Sequence, residues 1–286
     1  MKITGIKKHL QIIIVYTVLM PLFVFSQKDF YIPKSLIIPV HTQQQELHIS
    51  LGFGGGYDAN ISYSFSKHIA VFATGTLNKG AYNRTSLLGG QYKIFKDDYA
   101  IKGGAGYFTV LNKPLLKQYN ILETYIGYGN YKVDNYWYFI GDIDLEFSHT
   151  KSKFWNIFWQ VNLTEKKKKH ETTVAVRVAY SKYTDLQFWD TGGPYPSNIK
   201  SRYENFGGIT IDPVISYSYL LNKFKINIQA GISSCLGPIE VKQINTQTFP
   251  NQIITTVNDR SRNNTEGLLS LIGRISLQYN FDLKKK

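Results

Sequence analysis

The chain has 286 residues, with 33 Lys and Arg against 20 Asp and Glu, a formal net charge of +13. Aromatic residues are 15% of it, 21 Tyr and 17 Phe beside a single Cys. One cysteine excludes an internal disulfide framework, no nucleic-acid-binding motif is present, and the aromatic content favours strands in one large domain.

The first 26 residues have the pattern of a secretory signal peptide. Lys2, Lys7 and Lys8 form a positive start, and Leu10 to Phe25 is apolar apart from Gln11, Thr17 and Pro21. At about 16 residues the run is shorter than the roughly 20 needed to span a bilayer as a helix. A cut ahead of Gln27 leaves 30 basic against 20 acidic residues, a balance that suits an anionic membrane surface. Residues 27–43 carry Pro33 and Pro39 without alternation and read as an extended periplasmic lead-in to a domain spanning 44–286.

From there a side-chain period of two recurs to the end. The predicted strands cover about 44–54, 57–66, 68–78, 86–95, 99–109, 119–130, 136–148, 153–164, 171–183, 207–220, 223–234 and 267–282. The last is the clearest. Leu269, Leu271, Ile275, Leu277, Tyr279 and Phe281 alternate with Ser270, Arg274, Ser276, Gln278 and Asn280. Its length far exceeds the usual 5–6 residues of a soluble strand. One face apolar and aromatic-tipped, the other polar, describes a strand between lipid and a wet interior. These features predict an all-β fold, a transmembrane antiparallel up-and-down β-barrel of twelve strands, with ten or fourteen also compatible. A soluble β-sandwich would show shorter strands.

With the N-terminus taken as periplasmic, short turns fall at 66–67, 96–98, 131–135, 165–169 and 221–222. The opposite side receives 55–56, 79–85, 110–118, 149–152 and the long loops 184–206 and 235–266. Phe65, Phe95, Tyr99, Trp137, Tyr219, Phe224 and Phe281 lie beside the proposed periplasmic turns as an aromatic girdle.

Several short segments carry a resemblance. Tyr31, Pro33, Pro39 and Glu46 form a Tyr-x-Pro, Pro, Glu entry into the first strand. Phe158-Trp159-Gln160-Val161-Asn162 precedes Val176-Arg177-Val178, and Asp212-Pro213-Val214 opens a late strand. With a signal ending in Ser-Gln, the chain resembles uncharacterised Bacteroidota outer-membrane β-barrel proteins. Where members of that group often begin with a lipidated Cys, this chain has Gln27. The resemblance implies a fold and a location, and no reaction.

Few residues in this pattern suggest chemistry. His48-Ile49-Ser50, with Asn60 on the next strand, has the spacing of a lipid hydrolase pair, but it faces the interior and is better read as lumen filling. No histidine pair has the spacing of metal ligands, and no cofactor is expected. Gly52, Gly54, Gly55 and Gly56 read as a tight hairpin rather than a phosphate loop. Lys93, Lys102, Glu123, Gln160, Arg177, Asp212, Lys225 and Arg274 are assigned to a polar lumen network, together with Asp142, Asp144 and Glu146. Buried charges of both signs predict cross-linking more than a pore lining. Arg177 and Asp212 are the expected pair. Lys166 to Lys169 and Lys284 to Lys286 read as turn charge able to meet lipid headgroups.

The functional expectation is therefore a non-enzymatic outer-membrane barrel with both termini periplasmic, acting as a narrow pore or as a structural or assembly component of the envelope. The alternative is a cell-surface binding protein using the two long loops, with Phe188, Trp189, Asp190 and Tyr195 as contact residues. Partners would be outer-membrane lipids, the barrel assembly machinery and an envelope protein or glycan, with no nucleic acid.

Overall fold

The computed structural model describes residues 34–85, 91–116, 118–140, 147–191, 198–204, 206–236, 240–249, 252–261 and 269–283. The predicted signal segment, Tyr195, Asp142, Asp144, Glu146 and Lys284 to Lys286 lie outside them.

The strands are β1 (Glu46–Phe53), β2 (Tyr57–Ser64), β3 (Ile69–Thr85), β4 (Gln91–Leu115), β5 (Tyr119–Phe139), β6 (Phe147–Lys166) and β7 (His170–Thr191). They continue with β8 (Asn198–Glu204), β9 (Gly207–Leu221), β10 (Phe224–Leu236), β11 (Glu240–Phe249), β12 (Gln252–Ser261) and β13 (Leu269–Asp282). Ten of them close into an antiparallel ring. β1 through β7 pair in sequence, β7 pairs β9, β9 pairs β10, β10 pairs β13 and β13 returns to β1. A closed ring leaves no edge within it, so every wall strand finds its backbone partners on both sides.

The ring has ten strands, a count the sequence allowed beside twelve, because two of the predicted short turns are strand interior. Residues 96–98 lie inside β4, and 131–135 inside β5. Their polar side chains bond across and along the sheet. Lys132 Nζ lies 2.6 Å from Asp97, Asn78 donates to Asp98 at 3.0 Å, and His149 Nε2 lies 2.6 Å from Asp134. The merger reverses one connection: β4 ends and β5 begins at the end that holds the short turns 65–68, 167–169 and 222–223. It also corrects the girdle. Phe65, Tyr219, Phe224 and Phe281 do ring the short-turn end, whereas Phe95, Tyr99 and Trp137 stand in the upper stretches of β4 and β5.

The outer face carries the apolar halves of the alternation. Ile49, Leu51, Ile126, Ile157, Trp159, Val176, Ile215, Ile226, Ile275 and Leu277 are all exposed. Exposed aromatics flank this belt: Phe65, Tyr107, Tyr217, Phe224 and Phe281 toward the short turns, and Phe53, Tyr57, Tyr128 and Tyr180 toward the other end. So wide an exposed apolar ring is the reverse of a soluble protein's surface.

At the far end the wall is uneven. β1 and β2 stop early, while β3 to β7 rise well above them. The upper part of β7 (Gln187–Asp190) leaves β9 and pairs β8, which pairs β11, which pairs β12. The two long loops are therefore largely built as sheet.

Candidate functional site: a threaded lumen

Residues 34–41, Lys-Ser-Leu-Ile-Ile-Pro-Val-His, do not lead up to the barrel from outside. They run through it. At one end Lys34 Nζ donates to Gly55 O at 2.9 Å, at the β1–β2 hairpin. At the other, His41 N donates to Glu123 Oε1 at 2.8 Å. All eight residues are buried. β1 does begin at the short-turn end, where Gln45 O accepts from Leu283 N at 3.0 Å. The first described residues, in contrast, stand at the level of the opposite hairpin.

An extended segment alone leaves its backbone groups unpaired, and in a dry interior each must find a partner. Here the partners are wall side chains. Gln160 pairs with Ile37 in two directions, accepting from N at 3.3 Å and donating to O at 2.6 Å. Gln229 does the same for Leu36, at 3.2 and 3.3 Å. Each amide thus imitates a β-ladder rung. Arg177 Nη2 donates to Lys34 O at 2.8 Å, Lys102 Nζ to Ser35 O at 3.0 Å, and Lys225 Nζ to Pro39 O at 3.1 Å. Pro39 has no N–H to satisfy, so it costs nothing there.

The segment's side chains fill the rest. Leu36, Ile38 and Val40 pack with Ile121, Ala175, Val214 and Ile272. Ile37 packs with Phe72, Tyr125, Phe158 and Ala179. Glycine on the inner wall makes room: a Cβ at Gly104 would lie 2.1 Å from Ile126 O and 2.8 Å from the Phe72 ring.

Lumen charges of opposite sign meet. Arg177 stands directly across from Asp212 in the β7–β9 register, with Nε 2.7 Å from Oδ2, and Ser233 also donates to that carboxylate. Arg274 holds Asp58 at 2.5 Å, and Lys225 holds Glu171 at 2.9 Å. Lys102, Glu123, Gln160, Arg177, Asp212, Lys225 and Arg274 are thus brought together inside the barrel. Lys93 is not. It sits in upper β4 with its ammonium 5.3 Å from the Phe95 ring, because the barrel interior ends below it. Sequence reasoning passed over Glu171 as a lumen charge and missed the threaded segment. The signal was present: Leu36, Ile37, Ile38 and Val40 are too apolar for a solvated linker.

Above the threaded segment the inner face turns aromatic. Tyr131, Phe154, Tyr183, Leu186 and Phe188 form a buried cluster, with Tyr203 and Phe206 packed against it. Phe188 is therefore an inward core residue, not a surface contact. A bulge in β7 explains it: Tyr183 pairs Phe154 while Asp185 pairs Lys153, so Thr184 is the extra residue and the inward set changes from odd to even numbers. Trp189 points the other way, half-buried, stacked on His149 at 4.6 Å with Lys200 Nζ 4.9 Å above it. Asp190 lies in β7 beside it.

His48 and Ser50, read from sequence as lumen filling, are both buried and are not bonded to each other as a hydrolase pair. Ser50 Oγ accepts from Arg274 and Asn60, while His48 Nδ1 meets Asn280 Oδ1 at 2.6 Å. The short-turn rim instead gathers His48 with His41 and Glu46.

No protein-family model matches the chain, and no curated protein does. Among solved structures it is similar to the translocator domain of autotransporter NalP from Neisseria meningitidis, at 12% identity and a TM-score of 0.42, over 82% of this chain and 86% of that one. It is also similar to a major outer membrane protein from Thermus thermophilus (9%, TM-score 0.39, 84% and 100%). A third is CarO of Acinetobacter baumannii (9%, TM-score 0.33, 83% and 98%).

Proposed function

We propose that the protein is an integral outer-membrane barrel kept closed by its own N-terminal segment, serving as a structural anchor for the sheet that rises from one side. The observation that carries this is the burial and hydrogen bonding of residues 34–41 along the lumen axis. Of the pore and the structural readings, the threaded lumen favours the second. The apolar belt between aromatic rows supports a membrane setting. With short turns taken as periplasmic, the C-terminus faces the periplasm and the tall sheet faces the cell surface.

Outer-membrane lipids would cover the belt, and the exposed Lys168 and Lys169 would meet headgroups at the short-turn rim. Assembly machinery would insert the chain after signal cleavage, as in the Bacteroidota proteins whose entry motifs it resembles. The raised sheet offers a surface on which an envelope protein or glycan could dock, near Trp189 and Lys200. This reading assigns no catalytic step.

Planar-bilayer recording tests it. The whole protein should be silent, and a variant lacking residues 27–40 should show discrete conductance steps. Equal conductance from both would refute the closed barrel.

A further inference from the structure

The rim where the threaded segment turns into β1 is built unlike the rest of the lumen. Val40 and Gln45 both have left-handed backbone, φ 66° and 68°, although neither is glycine. These two residues bracket a reversal that folds His41 back onto β1. Glu46 fastens the reversal, accepting from Thr42 N and Thr42 Oγ1, each at 2.7 Å, and from Gln43 N at 3.2 Å. The result places His41, Glu46 and His48 together, the two imidazoles 4.5 Å apart by ring centre.

The hydrogen bonds around this trio assign the protons. Ser62 Oγ donates to Val71 O, so it accepts from His41 Nε2 at 2.7 Å, and that nitrogen carries the hydrogen. Asn280 Oδ1 can only accept, so His48 Nδ1 donates to it at 2.6 Å. Gln278 Nε2 also stands 2.8 Å from His48 Nδ1, but with that nitrogen protonated its two hydrogens go to Pro39 O and Asn280 Oδ1. Each ring is left with one bare lone pair, on His41 Nδ1 and His48 Nε2. Neither atom has a hydrogen-bond partner among the described residues, although both are buried. Both face Glu46 Oε2 at 3.7 Å, too far for a hydrogen bond. Three electron-rich atoms thus converge on one point.

We propose that this is a binding site for a divalent transition-metal ion, zinc foremost, ligated by His41 Nδ1, His48 Nε2 and Glu46 Oε2. Two imidazoles and a carboxylate are a known zinc donor set, leaving a fourth position for water. The three ligand atoms lie within 4.8 Å of one another. With two of the separations at 3.7 Å, a point equidistant from all three is within a few tenths of an ångström of ordinary zinc–ligand distances, about 2.0–2.2 Å. Ser62 and Asn280 hold the far nitrogens, as partners of metal-bound histidine do. Phe108 lies 5.4 Å from His41 and walls off one side, while Glu46, only partly covered, leaves an approach from the rim.

His41 belongs to the threaded segment and the other two ligands to β1. The ion therefore acts as a clasp, fixing the end of that segment to the wall. The site stands whether or not the barrel conducts.

The test uses whole protein, folded in detergent and stripped with chelator. Equilibrium dialysis against Zn²⁺ should find one ion per chain, and Co²⁺ should give the visible bands of a tetrahedral nitrogen–oxygen site. His48→Gln should abolish both, and Asn280→Ala should weaken zinc binding by about 10–100-fold. Folded wild-type protein that takes up no ion overturns the proposal. So does a folded His48→Gln variant that binds as wild type does. Should that variant fail to fold, the wild-type Co²⁺ spectrum decides, an all-oxygen octahedral spectrum counting against the site.

Discussion

The lower barrel and the raised sheet are continuous through β4 to β7, yet they are stabilised by opposite means. Below, the inside is held by paired charges and amides that close on a threaded backbone, whose apolar side chains pack on a few inward residues such as Ile121 and Phe158, while most apolar wall residues turn outward. Above, the inside is an aromatic cluster of Tyr131, Phe154, Tyr183, Leu186 and Phe188, and the outer face carries ion pairs such as Lys132–Asp97. The same strands invert their polarity within a few residues. The difference teaches that solvent, more than strand geometry, decides which face is polar. Lipid claims the apolar face in the belt, and water reclaims the outside beyond it.

The comparison can be broken hardest at the glycine wall. Gly104→Val would force a branched side chain against backbone and the Phe72 ring. Nothing there can give way without moving β5, so the folded, heat-modifiable band in detergent gels should be lost. Gly75→Ala, where a methyl meets nothing within 4 Å among the described residues, should leave the band intact. A folded Gly104→Val protein would mean the wall has slack.

The lumen charges come next. Arg177→Met should cost about 3–5 kcal/mol, since it strands the buried Asp212 carboxylate, and Asp212→Asn added to it should recover part of the loss. Denaturant titration in detergent measures both. Strictly additive losses would show that the pair is uncoupled.

A smaller effect sharpens the facing. Leu277 is half-exposed on the belt, whereas Ser276 is buried and accepts from Arg274 Nη1 at 2.6 Å. Leu277→Asp should reduce assembled protein, at a cost below the roughly 2–4 kcal/mol of a cation at the midplane. Ser276→Asp, beside a guanidinium, should be milder. Equal yields of the two variants in membrane fractions would invert the assignment.

The smallest global effect is expected above. Phe188→Ala should loosen β8, where Lys200 and Arg202 are exposed, and speed tryptic cleavage there. The heat-modifiable band should persist. If cleavage stays slow while the whole barrel destabilises, the two regions form one cooperative unit.

Legibility followed the same divide. In the belt, lipid outside and polar groups inside impose strict alternation, so the facings of Val174, Val176, Arg177, Ser276 and Leu277 could be read from sequence alone. Arg177 across from Asp212 followed from adjacent strands. Beyond the belt the outer face meets water and loses its apolar signature, and Lys96-Asp97-Asp98 and Val133-Asp134-Asn135 look like turns although they are strand. Phe188 was misplaced because a bulge at Thr184 shifts the phase by one residue, and no composition signal marks it. The threaded segment escaped because its backbone partners lie 67 to 239 residues away, and a period-two reading sees only neighbours. The His41–Glu46–His48 trio was hidden likewise: spacing along a chain does not reveal a reversal made by left-handed Val40 and Gln45.

The threaded segment also bears on the order of events during biogenesis. It precedes every strand it touches, so it is synthesised before β4, β5, β6, β7, β10 and β13. Each later strand must then present one particular residue to one particular carbonyl or amide: Lys102 to Ser35, Gln160 to Ile37, Gln229 to Leu36. A strand that slips by one residue turns its opposite face inward, bringing an alkyl group where the waiting carbonyl needs a donor. Residues 34–41 would thus serve as a gauge for strand register before the ring shuts.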